Sequence, residues 1–108
     1  MVIELNKETF KKEVLQSDKP VIVDYFATWC GPCMNLAPIF EETSKDYEGK
    51  LKFAKVNVEE NQDLAGQFNV RGIPCLIVFN KGEEVDRIVG SLQKEALKEK
   101  IDEILGQI

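Results

Sequence analysis

Apolar positions along this chain recur with two different periods, and the alternation between them outlines the fold. Val2 to Leu5 predicts a short strand, and Asn6 after it caps a helix whose Phe10, Val14 and Leu15 face inward. Pro20 ends that connection. Val21-Ile22-Val23-Asp24-Tyr25-Phe26 is almost continuously apolar, the mark of a central strand covered on both faces. Its lone carboxylate, Asp24, therefore demands an explanation. Leu36, Ile39, Phe40, Thr43 and Tyr47 then return at helical spacing, closing before Gly49, and Pro38 among them removes a hydrogen bond and predicts a kink. Leu51 to Val58 predicts another strand, and Leu64, Ala65 and Phe68 a short helix. Leu76 to Phe79 and Val85 to Val89 flank Asn80-Lys81-Gly82, the pattern of an antiparallel hairpin with its glycine at a positive φ. A final helix carries Leu97, Ile101, Ile104 and Leu105 on one face. No repeat, low-complexity tract or linker interrupts the alternation, which predicts one three-layer α/β domain spanning residues 1–108.

Composition narrows the function classes. With 44% hydrophobic and 31% charged residues, the chain reads as an ordinary globule large enough to bury a core without staples. No apolar run approaches the roughly 20 residues that cross a bilayer, so membrane insertion is not expected. A net charge of −5, with lysines dispersed among carboxylates, disfavours nucleic acid and anionic membranes as partners. Three cysteines, an odd number, with no recognisable leader or import signal predict a reducing compartment such as a cytoplasm.

Candidate chemistry concentrates in Trp29-Cys30-Gly31-Pro32-Cys33, where two thiols two residues apart can close a small disulfide ring and reopen it by exchange. The first cysteine falls where a predicted strand turns into a helix, and the unpaired N–H groups and dipole of a helix start favour an anion. That placement lowers a thiol pKa and raises its reactive fraction, making Cys30 the candidate nucleophile. Zinc or an iron–sulfur cluster needs about four ligands, whereas the chain offers one further cysteine, Cys75, and no histidine. A static staple belongs to small secreted domains. Inert buried thiols fit poorly with Gly-Pro between them.

Beyond the cysteine pair, the chain resembles the thioredoxin family over essentially its whole length. The residues that carry the likeness are Asp24, Ala27-Thr28-Trp29-Cys30-Gly31-Pro32-Cys33, Pro38, Lys55, Arg71-Gly72-Ile73-Pro74, Gly82 and Gly90. The resemblance implies a central mixed β-sheet flanked by helices, with Pro74 in a cis peptide bond facing the disulfide. It implies a flat apolar rim of Trp29, Gly31, Pro32, Ile73, Pro74, Val89 and Gly90, where a disulfide-containing target docks by pairing its backbone with Ile73. It implies a protein-disulfide reductase in which Cys30 attacks, Cys33 resolves, and a thioredoxin reductase restores the dithiol. Asp24, near Lys55, would move the proton on or off Cys33; the alternative is a buried Asp24–Lys55 pair with no part in the chemistry. Neither cofactor nor metal is expected besides the Cys30–Cys33 disulfide, and the chain is expected to be a monomer. Rival readings are an oxidase or isomerase module, and a binding subunit whose cysteines stay idle.

Two positions depart from the family pattern. Met34 replaces the usual lysine or arginine, removing a positive charge beside the thiolate. Cys75 replaces the usual threonine, either as a small buried hydrophobe or as a third thiol able to pair with Cys30.

Overall fold

Short-range chemistry sets the start of the first helix in the computed structural model, which describes residues 1–108. β1 (Val2–Leu5) runs into Asn6, whose Oδ1 accepts the N–H groups of Glu8 at 2.9 Å and Thr9 at 3.0 Å, while Thr9 Oγ1 accepts the Asn6 N–H at 3.0 Å. This reciprocal cap satisfies donors that the helix itself leaves unpaired. α1 (Lys7–Phe10) continues as a wider π-helical turn over Lys11–Leu15, a widening that the periodicity did not predict, and together they bury Phe10 and Val14. β2 (Val21–Phe26), α2 (Gly31–Ser44), β3 (Lys52–Asn57), α3 (Gln62–Gln67), β4 (Cys75–Asn80), β5 (Glu83–Val89) and α4 (Lys94–Leu105) complete the predicted set. Tyr47 lies not on α2 but on the tighter 3₁₀ turn Lys45–Tyr47 that follows it, its hydroxyl 2.6 Å from Asp102 Oδ1. The β4–β5 turn also refines the expectation: Lys81 (φ 55°) joins Gly82 (φ 83°) in the left-handed region, because a two-residue turn matched to sheet twist needs both.

The sheet order is β1-β3-β2-β4-β5. β3 runs parallel to both β1 and β2, whereas β4 is antiparallel to β2 and to β5. Because strand side chains alternate, β2 sends Val21, Val23 and Tyr25 to one face and Ile22 and Asp24 to the other. The first face packs Phe10, Val14, Leu64 and Ile77; the second packs Leu36, Phe40, Leu76, Leu97 and Ile101. Asp24 is thereby set among the layer that α2 covers, close to where α2 begins.

Candidate redox site

Ala27-Thr28-Trp29 carries the chain from the C-terminal end of β2 to the start of α2, and Cys30 is the residue that starts the helix. It takes an extended backbone (φ −90°, ψ 111°), and its Sγ accepts the Cys33 N–H at 3.2 Å, so sulfur stands where a capping oxygen usually does. Pro32 occupies the first turn, where its missing N–H costs nothing. Cys30 and Cys33 form a disulfide, with Cα atoms 5.2 Å apart. Cys30 retains 6% exposure and Cys33 1%, so an approaching group meets Cys30 first.

Across from the disulfide, the Ile73–Pro74 peptide is cis, and the Ile73 carbonyl oxygen lies 3.9 Å from Cys30 Sγ. Gly90, at φ 101°, donates its N–H to the Pro74 carbonyl at 2.8 Å, which ties the end of β5 to this segment. Trp29 and Val89 are large exposed apolar residues, and Gly31 and Pro32, between the two cysteines in sequence, are exposed as well. All seven predicted rim residues therefore surround one end of the sheet. Pro74 itself is buried and contributes its backbone.

Asp24 is 3% exposed, and its Oδ1 finds no hydrogen-bond partner. Burial pushes its carboxyl up to about 7, a rise that the positive charge of Lys55 opposes. Lys55 is the in-register neighbour of Asp24 on β3, yet no salt bridge joins them; its Nζ lies 5.7 Å from the centroid of the Phe26 ring. Asp24, Cys33 and Lys55 line one cleft. A carboxyl near pKa 7 with a free oxygen, sharing a cleft with the inner sulfur, can take or give a proton at neutral pH.

Periodicity missed one residue of the site. Glu59 Oε1 accepts both the N–H (3.0 Å) and the hydroxyl (2.9 Å) of Thr28, anchoring the loop ahead of Trp29. Glu59 is itself held by Asn57, whose Oδ1 accepts its N–H at 2.9 Å, and Asn61 donates to the Asn57 carbonyl at 3.0 Å. The available signal was the pair of asparagines between β3 and α3, Asn57 ending the strand and Asn61 starting the helix, both buried in the fold. Met34 is 40% exposed beside Cys33. Cys75 is 1% exposed and packs with Tyr25 in the layer under α1 and α3, whereas Cys30 and Cys33 pack with Ala27. Burial also pushes the Cys75 thiol up, so the small-hydrophobe reading describes it.

A mixed sheet presenting a helix-capping cysteine, disulfide-bonded to a second one turn inside and faced by a cis-proline loop, defines a dithiol–disulfide exchange domain. A sequence profile described as Thioredoxin matches residues 1–103. The chain is 48% identical to the thioredoxin of Chlorobaculum thiosulfatiphilum over 103 residues, covering 95% of both chains. It is 45% identical over 102 residues to thioredoxin 1 of a Nostoc species, covering 94% of this chain and 95% of that one. Over 101 residues it is 44% identical to the thioredoxin of Pseudomonas aeruginosa, covering 94% of each. The chain belongs to the thioredoxin family, and its activity is thiol–disulfide exchange through its own cysteine pair. No helix is long and apolar enough to cross a membrane.

Proposed function

We propose that the chain is a general protein-disulfide reductase, acting as a monomer in a reducing compartment such as a cytoplasm and restored by a thioredoxin reductase. In the reduced protein, Cys30 thiolate attacks a target disulfide; one target sulfur leaves as thiolate and the other stays bonded to Cys30. Cys33, deprotonated with help from Asp24, attacks Cys30 Sγ, releasing the second target thiolate and closing the Cys30–Cys33 disulfide. Two electrons pass to the target, and two from the reductase reopen the ring. Lys55 favours the charged form of Asp24. Trp29, Gly31, Pro32, Ile73, Pro74, Val89 and Gly90 hold the target backbone against the sulfurs, the glycines and proline keeping the surface low.

The observation that carries this assignment of roles is the order of the two sulfurs: Cys30 caps α2 and keeps 6% exposure, whereas Cys33 lies one turn inside with 1%. The test follows from it. Cys33→Ser keeps the nucleophile and removes the resolver, so it accumulates stable mixed disulfides with targets, whereas Cys30→Ser forms none and turns nothing over. Mass spectrometry of adducts reads both outcomes, and equal trapping by the two variants overturns the roles. A double Cys→Ser variant that keeps full function would instead favour the idle-cysteine binding reading.

A further inference from the structure

On the Cys33 side of the disulfide, the sheet and α2 enclose an open cleft of about 570 Å³, many times the roughly 30 Å³ that one water occupies in the liquid. A row of three ionisable residues crosses it. Register pairs Glu4 on β1 with Lys55 on β3, and Lys55 with Asp24 on β2, and in-register neighbours point to the same face of a sheet. Glu41 lines the cleft from α2, and Met34 and Phe26 contribute apolar wall. The charges do not balance: three carboxylates face one ammonium. Lys55 forms no salt bridge, and neither Glu4 nor Glu41 has a side-chain partner. Asp24 Oδ1, almost fully buried, is left without one as well.

We propose that this cleft is a subsite for a cationic side chain, a lysine or arginine of the disulfide-bearing target, set on the resolving-cysteine side of the scissile bond. The inference rests on the reductase reading and names the target class for it. A lysine or arginine matches the cleft in both of its parts. Its aliphatic stem lies along Met34 and Phe26, and its charged head meets Glu4, Glu41 and the free oxygen of Asp24. A bare cation would leave the apolar wall unused, and an acidic side chain would meet the like charges of Glu4 and Glu41 and a partly ionised Asp24. The cleft shares Cys33 with the disulfide, and Thr28 and Met34, next in sequence to Trp29 and Cys33, also line it, so a target chain held at the disulfide has this cleft beside it. Where the family pattern has lysine or arginine, Met34 brings no cation of its own to compete for these carboxylates.

The experiment uses the full chain carrying Cys33→Ser and two disulfide-activated peptides that compete for Cys30. The peptides are identical except for lysine or glutamine at one position, which is scanned along the sequence on either side of the cysteine. At low salt, mixed disulfides at the best position favour the lysine peptide by about fivefold, the size of a moderately exposed ion pair. The preference falls to about one after Glu4→Gln/Glu41→Gln, and after Met34→Lys. It persists in Glu99→Gln/Glu103→Gln on α4, which changes net charge equally. No preference at any position, a preference that survives Glu4→Gln/Glu41→Gln, or its equal loss in the α4 variant overturns the subsite. The competition needs only that Cys30 form a disulfide, so it can be read even if the chain proves not to be a reductase in turnover.

Discussion

Asp24 is the residue whose energetics and chemistry pull against each other. Its carboxyl titrates near 7 in the folded chain against 3.8 for the free group, so the folded state holds a proton that the unfolded state has released across that interval. The Asp24 contribution to stability therefore falls as pH rises from about 4 to about 7 and is level above that, with on the order of 4 kcal/mol at stake. Asp24→Asn removes the ionisable group while keeping its shape. The variant should match wild type near pH 4 and exceed it increasingly up to neutrality, as read by denaturant melts between about pH 4 and pH 9. A parallel pH profile for the two proteins would mean that Asp24 is solvated or compensated after all. The same change should slow release of a target from Cys30, by roughly 10- to 100-fold in single-turnover assays, because no carboxylate remains to accept the Cys33 proton. That Asp24 is exceptional was legible in the sequence, since one carboxylate interrupts an apolar strand. That Lys55 stands near it followed from the family resemblance and agrees with the in-register pairing of the two, but pairing fixes only that both side chains share a face. How far Lys55 leans toward Phe26 is decided by packing.

At the scale of elements, sequence signals succeeded where the deciding contact is local. The Asn6 cap, the helix start at Cys30 and the glycine of the β4–β5 turn are choices made within a few residues of chain. They failed where the contact is remote: the Thr28–Glu59 anchor joins segments that periodicity treats as separate, and Tyr47 follows its hydrogen bond to α4 rather than its helical spacing. Gly82 shows both halves of this division. Its φ of 83° is a property of the turn and could be read from Asn80-Lys81-Gly82. Its second constraint could not, for a Cβ at Gly82 would stand 2.9 Å from the Leu15 carbonyl oxygen at the end of the π-helical turn. Gly49 has the same backbone requirement, with φ 84°, but open space around it. Gly49→Ala should thus cost only the left-handed conformation, about 1 kcal/mol, and Gly82→Ala that plus a displaced backbone, on the order of 2–3 kcal/mol. Urea denaturation of both variants makes the comparison, and equal losses would show that Leu15 moves aside freely.

Over the whole molecule, two kinds of charge respond differently to solvent. The surface pairs, such as Lys7–Asp63, Lys45–Glu42 and Lys98–Asp46, join partly or largely exposed side chains, and each is worth little. Around them the chain carries a net charge of −5, whose self-repulsion weakly opposes the compact state. Asp46, held below the usual carboxylate range by hydrogen bonds from Lys98 and Lys94, contributes stability at neutral pH that is lost as pH falls through its folded pKa. Salt screens all of these together. Asp24 stands apart: it is 3% exposed beneath α2, its shift comes mainly from burial, and its effect has the opposite sign, destabilising as pH rises. In about 0.5 M sodium chloride, where screening lengths shrink to a few ångström, total stability at pH 7 should change by less than about 1 kcal/mol, upward because relief of net repulsion outweighs the lost exposed pairs. The stability difference between wild type and Asp24→Asn should keep its full rise between about pH 4 and pH 7 in that salt, while the acid-side loss shared by both proteins flattens. Melts of the two proteins at low and high salt decide it. If salt erases the difference between them, the Asp24 shift comes from long-range surface charge, and burial under α2 is not its cause.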